Sequence, residues 1–287
     1  KKINKIGLGS AQFGMPYGIS NIFGKIPQNE INSILDFASQ NGINTIDTAK
    51  AYGDSEEVIG NYISKRPKNN WTIITKLASH EKTIMDQIKD SSAKLTIKPN
   101  IILAHSANLF LNHDFQKELS DIMKLKYISK IGVSVYTENE VLKVLKSSIK
   151  PNIIQLPMNI LDTRLYKNKV LKQIHEMDIE IHIRSVFLQG LFYLRNFEIK
   201  RQFPDVLPFI IKLKSIASEA NLALPEFSLL WCFALKEVNK IIVGVNNSRE
   251  LNSHLETLQK KVDFKLFEKA LSINYENEEV LNPSLWV

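Results

Sequence analysis

The chain has 287 residues, of which 44% are apolar and 23% charged, a composition typical of a globular protein with a large core. Its net charge of +7 comes mainly from lysines scattered along the sequence, which indicates a solvated basic surface, with an anion-attracting patch as the alternative. We expect no nucleic-acid binding. The single cysteine, Cys232, excludes an intrachain disulfide and a multi-cysteine metal site. No apolar stretch approaches the roughly 20 residues that cross a bilayer, and the first residues lack a signal-peptide pattern, so we expect a cytoplasmic protein without a membrane partner.

In chain order, short β-branched runs alternate with longer segments of 3.6-residue periodicity. The predicted strands are Ile6–Gly9, Thr45–Asp47, Thr72–Lys76, Ile101–His105, Ile131–Ser134, Ile153–Leu156, Ile179–Ser185 and Lys240–Gly244. The last two predicted helices, Arg249–Leu258 and Phe264–Ser272, follow the final strand. Eight such β/α units imply parallel strands joined by right-handed crossovers. We therefore predict an α/β fold, a single (β/α)8 TIM barrel over residues 1–287, closed without an exposed edge strand.

The main competing fold is a doubly wound open sheet. That fold would place a glycine-rich turn between its first strand and first helix to hold a dinucleotide. The candidate turn, Gly7-Leu8-Gly9, lacks the third glycine of the fingerprint, and it runs into residues 13–18, which we predict to be a loop rather than a helix. The barrel is the favoured interpretation.

Polar side chains end most of the predicted strands. They are Asp47, Lys76, His105, Ser134, Gln155 and Arg184. Taken singly, each has an ordinary explanation, such as a helix cap, a solvated cation or a hydrogen-bonded core histidine. In a barrel, however, the carboxyl ends of the strands meet at one mouth, where catalysis occurs in this architecture. A ring of such residues therefore predicts an active site.

Four of the residue types near this mouth suit the reduction of a carbonyl. Hydride transfer to a carbonyl develops negative charge on oxygen, which a proton or a fixed donor must meet. Tyr52 can donate that proton, and the ammonium of Lys76 can stabilise the phenolate that remains. Asp47 supplies the anionic partner that keeps a buried lysine charged. His105 can orient the carbonyl oxygen, and neither a metal nor a covalent intermediate is required.

The segments that carry these residues resemble the aldo-keto reductase family. The sequence from Ile46 to Glu56, with Asp47 and Tyr52, is similar to the signature of the family, and it is the most specific match. Residues 73–76 and 102–105 resemble the strands of its catalytic lysine and histidine. Residues 131–134, 154–159, 184–190 and 241–249 resemble its cofactor-contacting strands. The resemblance runs in order along nearly the whole chain.

This resemblance implies roles for the matching residues. Tyr52 would be the general acid, tuned by Lys76 and Asp47, and His105 would help to place the carbonyl. The implied cofactor-binding residues are Ser134, Gln155, Arg184, Ser185, Leu188, Gln189, Gly190, Gly244, Asn246, Asn247 and Arg249. Ser134 and Gln155 would hold the carboxamide, residues 188–190 would approach the pyrophosphate, and residues 244–249 would hold the adenosine end, where free N–H groups favour phosphate.

The sequence also departs from the family pattern. Val135 stands where many members have asparagine, and Gly244 where many have the lysine that binds the 2′-phosphate. Ser253 and His254 replace a common Glu-Asn pair. Arg249 could compensate for the missing lysine, and so could Asn246 or Asn247 by hydrogen bonding. NADPH is the expected cofactor, and NADH is not excluded.

Three functional hypotheses follow. The first is an NAD(P)H-dependent reductase of an aldehyde or ketone, with a keto-sugar or its nucleotide conjugate from bacterial surface polysaccharide synthesis as the expected substrate, because the Gln12-Phe13-Gly14 opening resembles such members. The second is a non-catalytic, nicotinamide-sensing regulatory subunit. The third is an aldolase-type barrel in which Lys76 forms a Schiff base, which Asp47 disfavours by keeping the lysine protonated. The sequence leaves the oligomeric state, the substrate and the physiological direction of the reaction open.

Overall fold

The computed structural model describes residues 3–79 and 81–286, which form eight parallel strands with helices between them. The strands are β1 (Ile6–Gly9), β2 (Thr45–Asp47), β3 (Thr72–Leu77), β4 (Ile101–Ala104), β5 (Lys130–Ser134), β6 (Ile153–Pro157), β7 (Glu180–Arg184) and β8 (Val238–Gly244). Each strand pairs with the next, and β1 also pairs with β8, so Leu8 lies opposite both Ile46 and Val243. The sheet is a closed barrel, which confirms the predicted (β/α)8 fold and excludes the open sheet.

Helices cover the outside of this barrel. They are α1 (Ala11–Gly14), α2 (Gln28–Gln40), α3 (Ser55–Ser64), α4 (Ile84–Leu95), α5 (Ala107–Leu111), α6 (His113–Ile122), α7 (Glu138–Leu145), α8 (Arg164–Lys167), α9 (Val170–Glu176), α10 (Asn196–Gln202), α11 (Leu207–Glu219), α12 (Leu224–Ala234), α13 (Ser248–Thr257), α14 (Phe264–Leu271) and α15 (Glu278–Leu281). Short 3-10 helices lie at Ile3–Lys5, Leu188–Tyr193 and Pro283–Leu285. Within the described ranges, no helix is long and apolar enough to cross a membrane.

The predicted strands agree with the observed ones to within two residues at each end. The predicted loop at residues 13–18 is wrong at its start, because Phe13 and Gly14 belong to the single-turn helix α1. The amide of Phe13 bonds to the carbonyl of Ser10, and the amide of Met15 bonds to that of Ala11. The chain leaves the helix at Met15, whose backbone is extended. The glycine-rich turn is therefore not followed by the long helix that a dinucleotide-binding fingerprint requires.

The two faces of the strands have different neighbours. Side chains alternate along a strand, so Ile73 and Ile74 point to opposite sides of the sheet. Ile73 belongs to the main core beneath the helices, whereas Ile74 packs in a separate buried cluster with Ile101, Leu103 and Ile153. This second cluster fills the barrel along its axis. Lys76 follows two residues after Ile74 and therefore points toward the axis at the carboxyl end.

The opposite end of the axis has its own polar group. Lys130 and Glu180, at the starts of β5 and β7, form an ion pair, and His182 lies 3.5 Å from the other Glu180 oxygen. Lys240 of β8 donates a 2.6 Å hydrogen bond to the Asn4 carbonyl. The proximity of His182 and the contact with Lys130 lower the pKa of Glu180 to about 2 despite its burial.

Candidate active site

The predicted catalytic residues meet at the carboxyl ends of β2, β3 and β4. Asp47 is the last residue of β2, Lys76 lies near the end of β3, and His105 directly follows β4. Tyr52 enters from the loop between β2 and α3. That loop turns at Gly53, which has a φ of +57°, and a Cβ there would overlap the carbonyl oxygen of Gly14. Only glycine fits this crossing, and it fixes the position of Tyr52.

Lys76 forms a buried ion pair with Asp47, and their side chains are 1% and 4% exposed. Its Nζ also donates to the Thr48 carbonyl at 3.2 Å and to Tyr52 Oη at 3.4 Å. Burial lowers the pKa of the Lys76 ammonium, but the interactions with the Asp47 carboxylate and with Tyr52 Oη outweigh it, and the net pKa is raised. Lys76 is therefore a fixed cation aimed at the tyrosine hydroxyl.

Gln155 holds the second oxygen of the same carboxylate. Its Nε2 donates to Asp47 Oδ1 at 2.9 Å from β6, on the other side of the barrel axis. The Oε1 of Gln155 is buried and has no hydrogen-bond partner among residues 3–79 and 81–286. A buried acceptor without a partner is costly, so this oxygen is suited to an amide donor from a bound molecule.

His105 stands edge-on to Tyr52, with ring centroids 5.9 Å apart and an angle of 83° between the rings. Burial, followed by the charges of Lys76 and Arg184, lowers the pKa of His105 to about 4. The imidazole is thus neutral at pH 7. Its one N–H can donate a hydrogen bond to a carbonyl oxygen.

Arg184 ends β7 at the same mouth. Its guanidinium donates to the Val135 carbonyl at 3.2 Å, contacts Ser134 Oγ at 3.5 Å and lies 4.2 Å from the ring centroid of Tyr136. These contacts place a cation beside the position that the family resemblance assigns to the carboxamide. The arginine contact with Val135 also occupies the position where many family members have asparagine.

A cleft of about 840 Å³, part of it open to solvent, begins at Asp47 and Tyr52 and runs to the start of α13. Two loops form its sides, residues 15–24 after β1 and residues 185–190 after β7. They are joined by hydrogen bonds from the Ile19 amide to the Gln189 carbonyl at 2.9 Å and from Gln189 Nε2 to Tyr17 Oη at 3.0 Å. We call this pair of loops the bridge.

The β7 half of the bridge has an unusual backbone. Ser185, Leu188 and Gln189 have φ values of 60°, 47° and 49°, in the left-handed region that non-glycine residues rarely adopt. Such conformations persist where the surrounding contacts hold them, and they cluster at ligand sites.

The predicted cofactor residues fall into two groups. Those that line the cleft are Arg184, Ser185, Gln189, Gly190, Gly244 and Asn246. The other five lie outside this lining. Ser134 and Gln155 are buried near Asp47 and Arg184, and Leu188 is fully buried in the core. Asn247 caps α13, and Arg249 is exposed on its first turn.

Sequence reasoning missed several residues that line the cleft. They include Tyr17, Gly18, Ser20, Asn21, Tyr193 and Glu250. Residues 15–24 follow neither the helix nor the strand period, so their approach to β7 has no sequence signal. Glu250 does have one, because an acidic residue three positions after the Asn247 cap is typical of a helix start.

The residues present fit a nicotinamide dinucleotide. The partnerless Oε1 of Gln155 lies at the reactive end, and the buried Oδ1 of Asn246, which likewise lacks a partner within the described part of the chain, lies at the far end. The cleft runs from Asp47, which Gln155 contacts, to Asn246. Gln155 and Ser134 would hold the carboxamide, the bridge would lie beside the pyrophosphate, and Asn246 would meet the adenosine portion.

Comparison with known proteins identifies the family and the fold. The model of the aldo/keto reductase family matches residues 5–273. Among solved structures, the holo form of an aldo-keto reductase from Bacillus halodurans is similar, with a TM-score of 0.76 and 18% identity over 95% of this chain and 94% of that one. A Pseudomonas aeruginosa protein assigned to the same enzyme class has a TM-score of 0.64 and 19% identity over 88% and 89% of the two chains. At these identities, the structural likeness shows the fold.

Proposed function

The chain belongs to the aldo/keto reductase family, whose members are NAD(P)H-dependent oxidoreductases, and we propose that it reduces an aldehyde or ketone to an alcohol with Tyr52 as the general acid. A nicotinamide dinucleotide, when held in the cleft, would supply the hydride. The observation that carries the proposal is the contact of 3.4 Å between Tyr52 Oη and the ammonium of Lys76, which Asp47 holds in its charged form.

Each group in the site has one task in this mechanism. Tyr52 Oη donates its proton to the developing alkoxide, and Lys76 stabilises the phenolate that results. Asp47 and Gln155 keep Lys76 in place and charged. The neutral His105 donates a hydrogen bond to the carbonyl oxygen and orients it toward Tyr52.

The same ion pair disfavours the aldolase interpretation. A Schiff-base lysine must be neutral to attack a carbonyl, and its pKa must therefore be lowered. The pKa of Lys76 is raised instead, because Asp47 outweighs burial. We expect no covalent adduct to be trapped by borohydride in the presence of a carbonyl substrate.

A keto-sugar or its nucleotide conjugate is the proposed substrate. Tyr17, Tyr136 and Arg184 stand near Tyr52 at the mouth, where their hydroxyls and guanidinium suit a hydroxylated, anionic ligand better than an apolar one. The opening sequence Gln12-Phe13-Gly14 supports a role in bacterial surface polysaccharide synthesis by resemblance. Nucleotide-linked sugars and reduced nicotinamide are cytoplasmic metabolites, so we place the reaction in the cytoplasm.

The test is oxidation of reduced nicotinamide by the purified protein with a panel of keto-sugars, nucleotide-linked keto-sugars and simple aldehydes. Tyr52→Phe should lower kcat by about 10²–10⁴-fold, because it removes the proton donor, and it should leave cofactor binding, followed by fluorescence quenching, unchanged. Tyr166→Phe is the matched control, since Tyr166 packs on Trp231 and does not line the cleft.

Two outcomes would contradict the proposal. A Tyr52→Phe protein with wild-type kcat would exclude Tyr52 as the acid. Tight cofactor binding with no turnover of any carbonyl, together with a stable protein partner, would favour the non-catalytic regulatory subunit.

A further inference from the structure

The reactive end of the cleft fixes the direction in which a dinucleotide must lie. The nicotinamide has to reach Tyr52 and Lys76, and the cleft leads from these residues past the bridge to Asn246 and Glu250. The adenosine ribose, which distinguishes NADH from NADPH by its 2′ substituent, would therefore lie at the amino end of α13.

The backbone N–H groups at this helix end are largely occupied. The amide of Ser248 donates to Glu30 Oε1 at 2.9 Å, and the amide of Asn246 donates to Glu250 Oε2 at 2.8 Å. The amide of Glu250 donates to the Asn247 side chain at 2.9 Å. A helix amino end binds phosphate through such groups, but here the carboxylates of Glu250 and Glu30 already accept their hydrogen bonds. This arrangement differs from the free N–H groups expected from the sequence.

Cations are also missing from this end of the cleft. Within the described residues, Glu250 has no Lys, Arg or His nitrogen within ion-pair distance, and the cation that lines the cleft is Arg184 at the opposite end. Arg249, the charged residue among those that could compensate, is exposed and does not line the cleft, whereas the neutral Asn246 does. The pKa of the Tyr193 hydroxyl is raised, first by its own burial and then by the charge of Glu250.

The position of the family's phosphate-binding lysine cannot take a side chain without rearrangement. A Cβ on Gly244 would lie 2.6 Å from Gln12 Nε2 and 2.7 Å from Gln12 Oε1. The flexible end of the Gln12 side chain thus fills this space and would have to swing away to admit a side chain at position 244.

From these contacts we infer that Glu250 sets the cofactor preference and that the protein binds NADH in preference to NADPH. A carboxylate accepts hydrogen bonds from a ribose hydroxyl, which is how acidic residues recognise NAD in other folds. A 2′-phosphate carries a charge of about −1.5 to −2 and would be repelled by the carboxylate of Glu250, which lines the cleft. The inference rests on the proposed use of a nicotinamide cofactor, and it reverses the NADPH preference expected from the family resemblance.

The test is direct titration of the full chain with NADH and with NADPH, following fluorescence and without any carbonyl. We expect the wild type to bind NADH at least about tenfold more tightly. Glu250→Gln keeps an acceptor for the Asn246 amide but removes the charge, so it should tighten NADPH binding severalfold and leave NADH binding nearly unchanged. Glu256→Gln, which removes an exposed carboxylate from the same helix, should leave both affinities as they are.

Salt provides a second readout. Because screening weakens repulsion between charges, the preference of the wild type for NADH should shrink as ionic strength rises, and that of Glu250→Gln should change less. Equal or tighter wild-type binding of NADPH, or a preference unchanged in Glu250→Gln, would overturn the inference alone. Failure to bind either dinucleotide would overturn the proposed function on which it rests.

Discussion

Gln155 and Asp47 are joined across the barrel by a hydrogen bond of 2.9 Å, although 108 residues separate them in the sequence. Together with Lys76 on its other oxygen, this bond fixes the Asp47 carboxylate from two sides. The family resemblance assigned Gln155 to the cofactor carboxamide. In the structure Gln155 can serve both Asp47 and a carboxamide. Its Nε2 donates to Asp47, and its Oε1 has no hydrogen-bond partner among the described residues.

Asp47→Asn should destabilise the fold strongly. It leaves the Lys76 ammonium buried without its counterion, and breaking a buried pair in this way costs about 3–5 kcal/mol. The free energy of unfolding, measured with urea, should fall accordingly. Asp90→Asn is the control, because Asp90 pairs with Lys50 and Lys82 at the surface and should have little effect. An equal decrease in the free energy of unfolding of the two variants would show that the buried pair stabilises the fold no more than a surface pair does.

The stability of the protein should fall as the pH decreases from about 6.5 to 4. Burial, as the largest cause, lowers the pKa of both His105 and His254 to about 4, whereas an unfolded histidine titrates near about 6.5. Between these values the unfolded chain binds more protons, so the free energy of unfolding decreases by up to about 1.4 kcal/mol per pH unit for each histidine.

His254→Phe isolates one of these contributions. His254 stacks on Phe187 with ring centroids 4.9 Å apart, and phenylalanine can keep that contact without titrating. Urea unfolding at several pH values should therefore give a shallower slope for the variant in the acid window, by about one proton. A slope identical to that of the wild type would mean that His254 titrates normally in the folded protein.

Gly190→Ala should disturb the bridge and weaken cofactor binding. Gly190 has a φ of +95°, and a Cβ there would overlap Ser20 Oγ on the other loop. Gly24 has a φ of +75° with no atom within 4 Å of its Cβ position, so Gly24→Ala imposes backbone strain without a clash. The dissociation constant of the dinucleotide should rise at least severalfold in Gly190→Ala alone. Similar increases in both variants would assign the effect to strain rather than to contact between the loops.

Arg184→Met should raise KM for an anionic keto-sugar about tenfold or more, because a hydrogen bond to a charged group contributes about 1.5–3 kcal/mol. KM for a neutral aldehyde of similar size should change much less. Arg195→Met, which removes a guanidinium lying over Phe197 on the surface, is the control. A KM increase shared by neutral and anionic substrates would point to a general distortion of the mouth.

The barrel and the contact between Asp47 and Lys76 could be predicted from sequence because local patterns determine them. Asp47 and Lys76 end apolar strands, and strand alternation places Lys76 on the same face as Ile74. The bridge was not accessible, since the left-handed backbone at Leu188 and Gln189 depends on contacts with a loop 170 residues earlier. Glu250 could be predicted to cap the start of α13, but its place in the cleft could not, because that depends on loops far away in the sequence.

The apolar cluster of Ile74, Ile101, Leu103 and Ile153 lies along the axis between two ion pairs, Lys130–Glu180 at the strand starts and Lys76–Asp47 at the strand ends. The two ion pairs, one at the strand starts and one at the proposed catalytic end, are thus separated by packed apolar side chains. An engineer can rework the former, by replacing Lys130 and Glu180 with packed apolar residues, to change heat resistance. Turnover at the other end should then stay as it was. Stability and activity could therefore be changed independently of each other in this barrel.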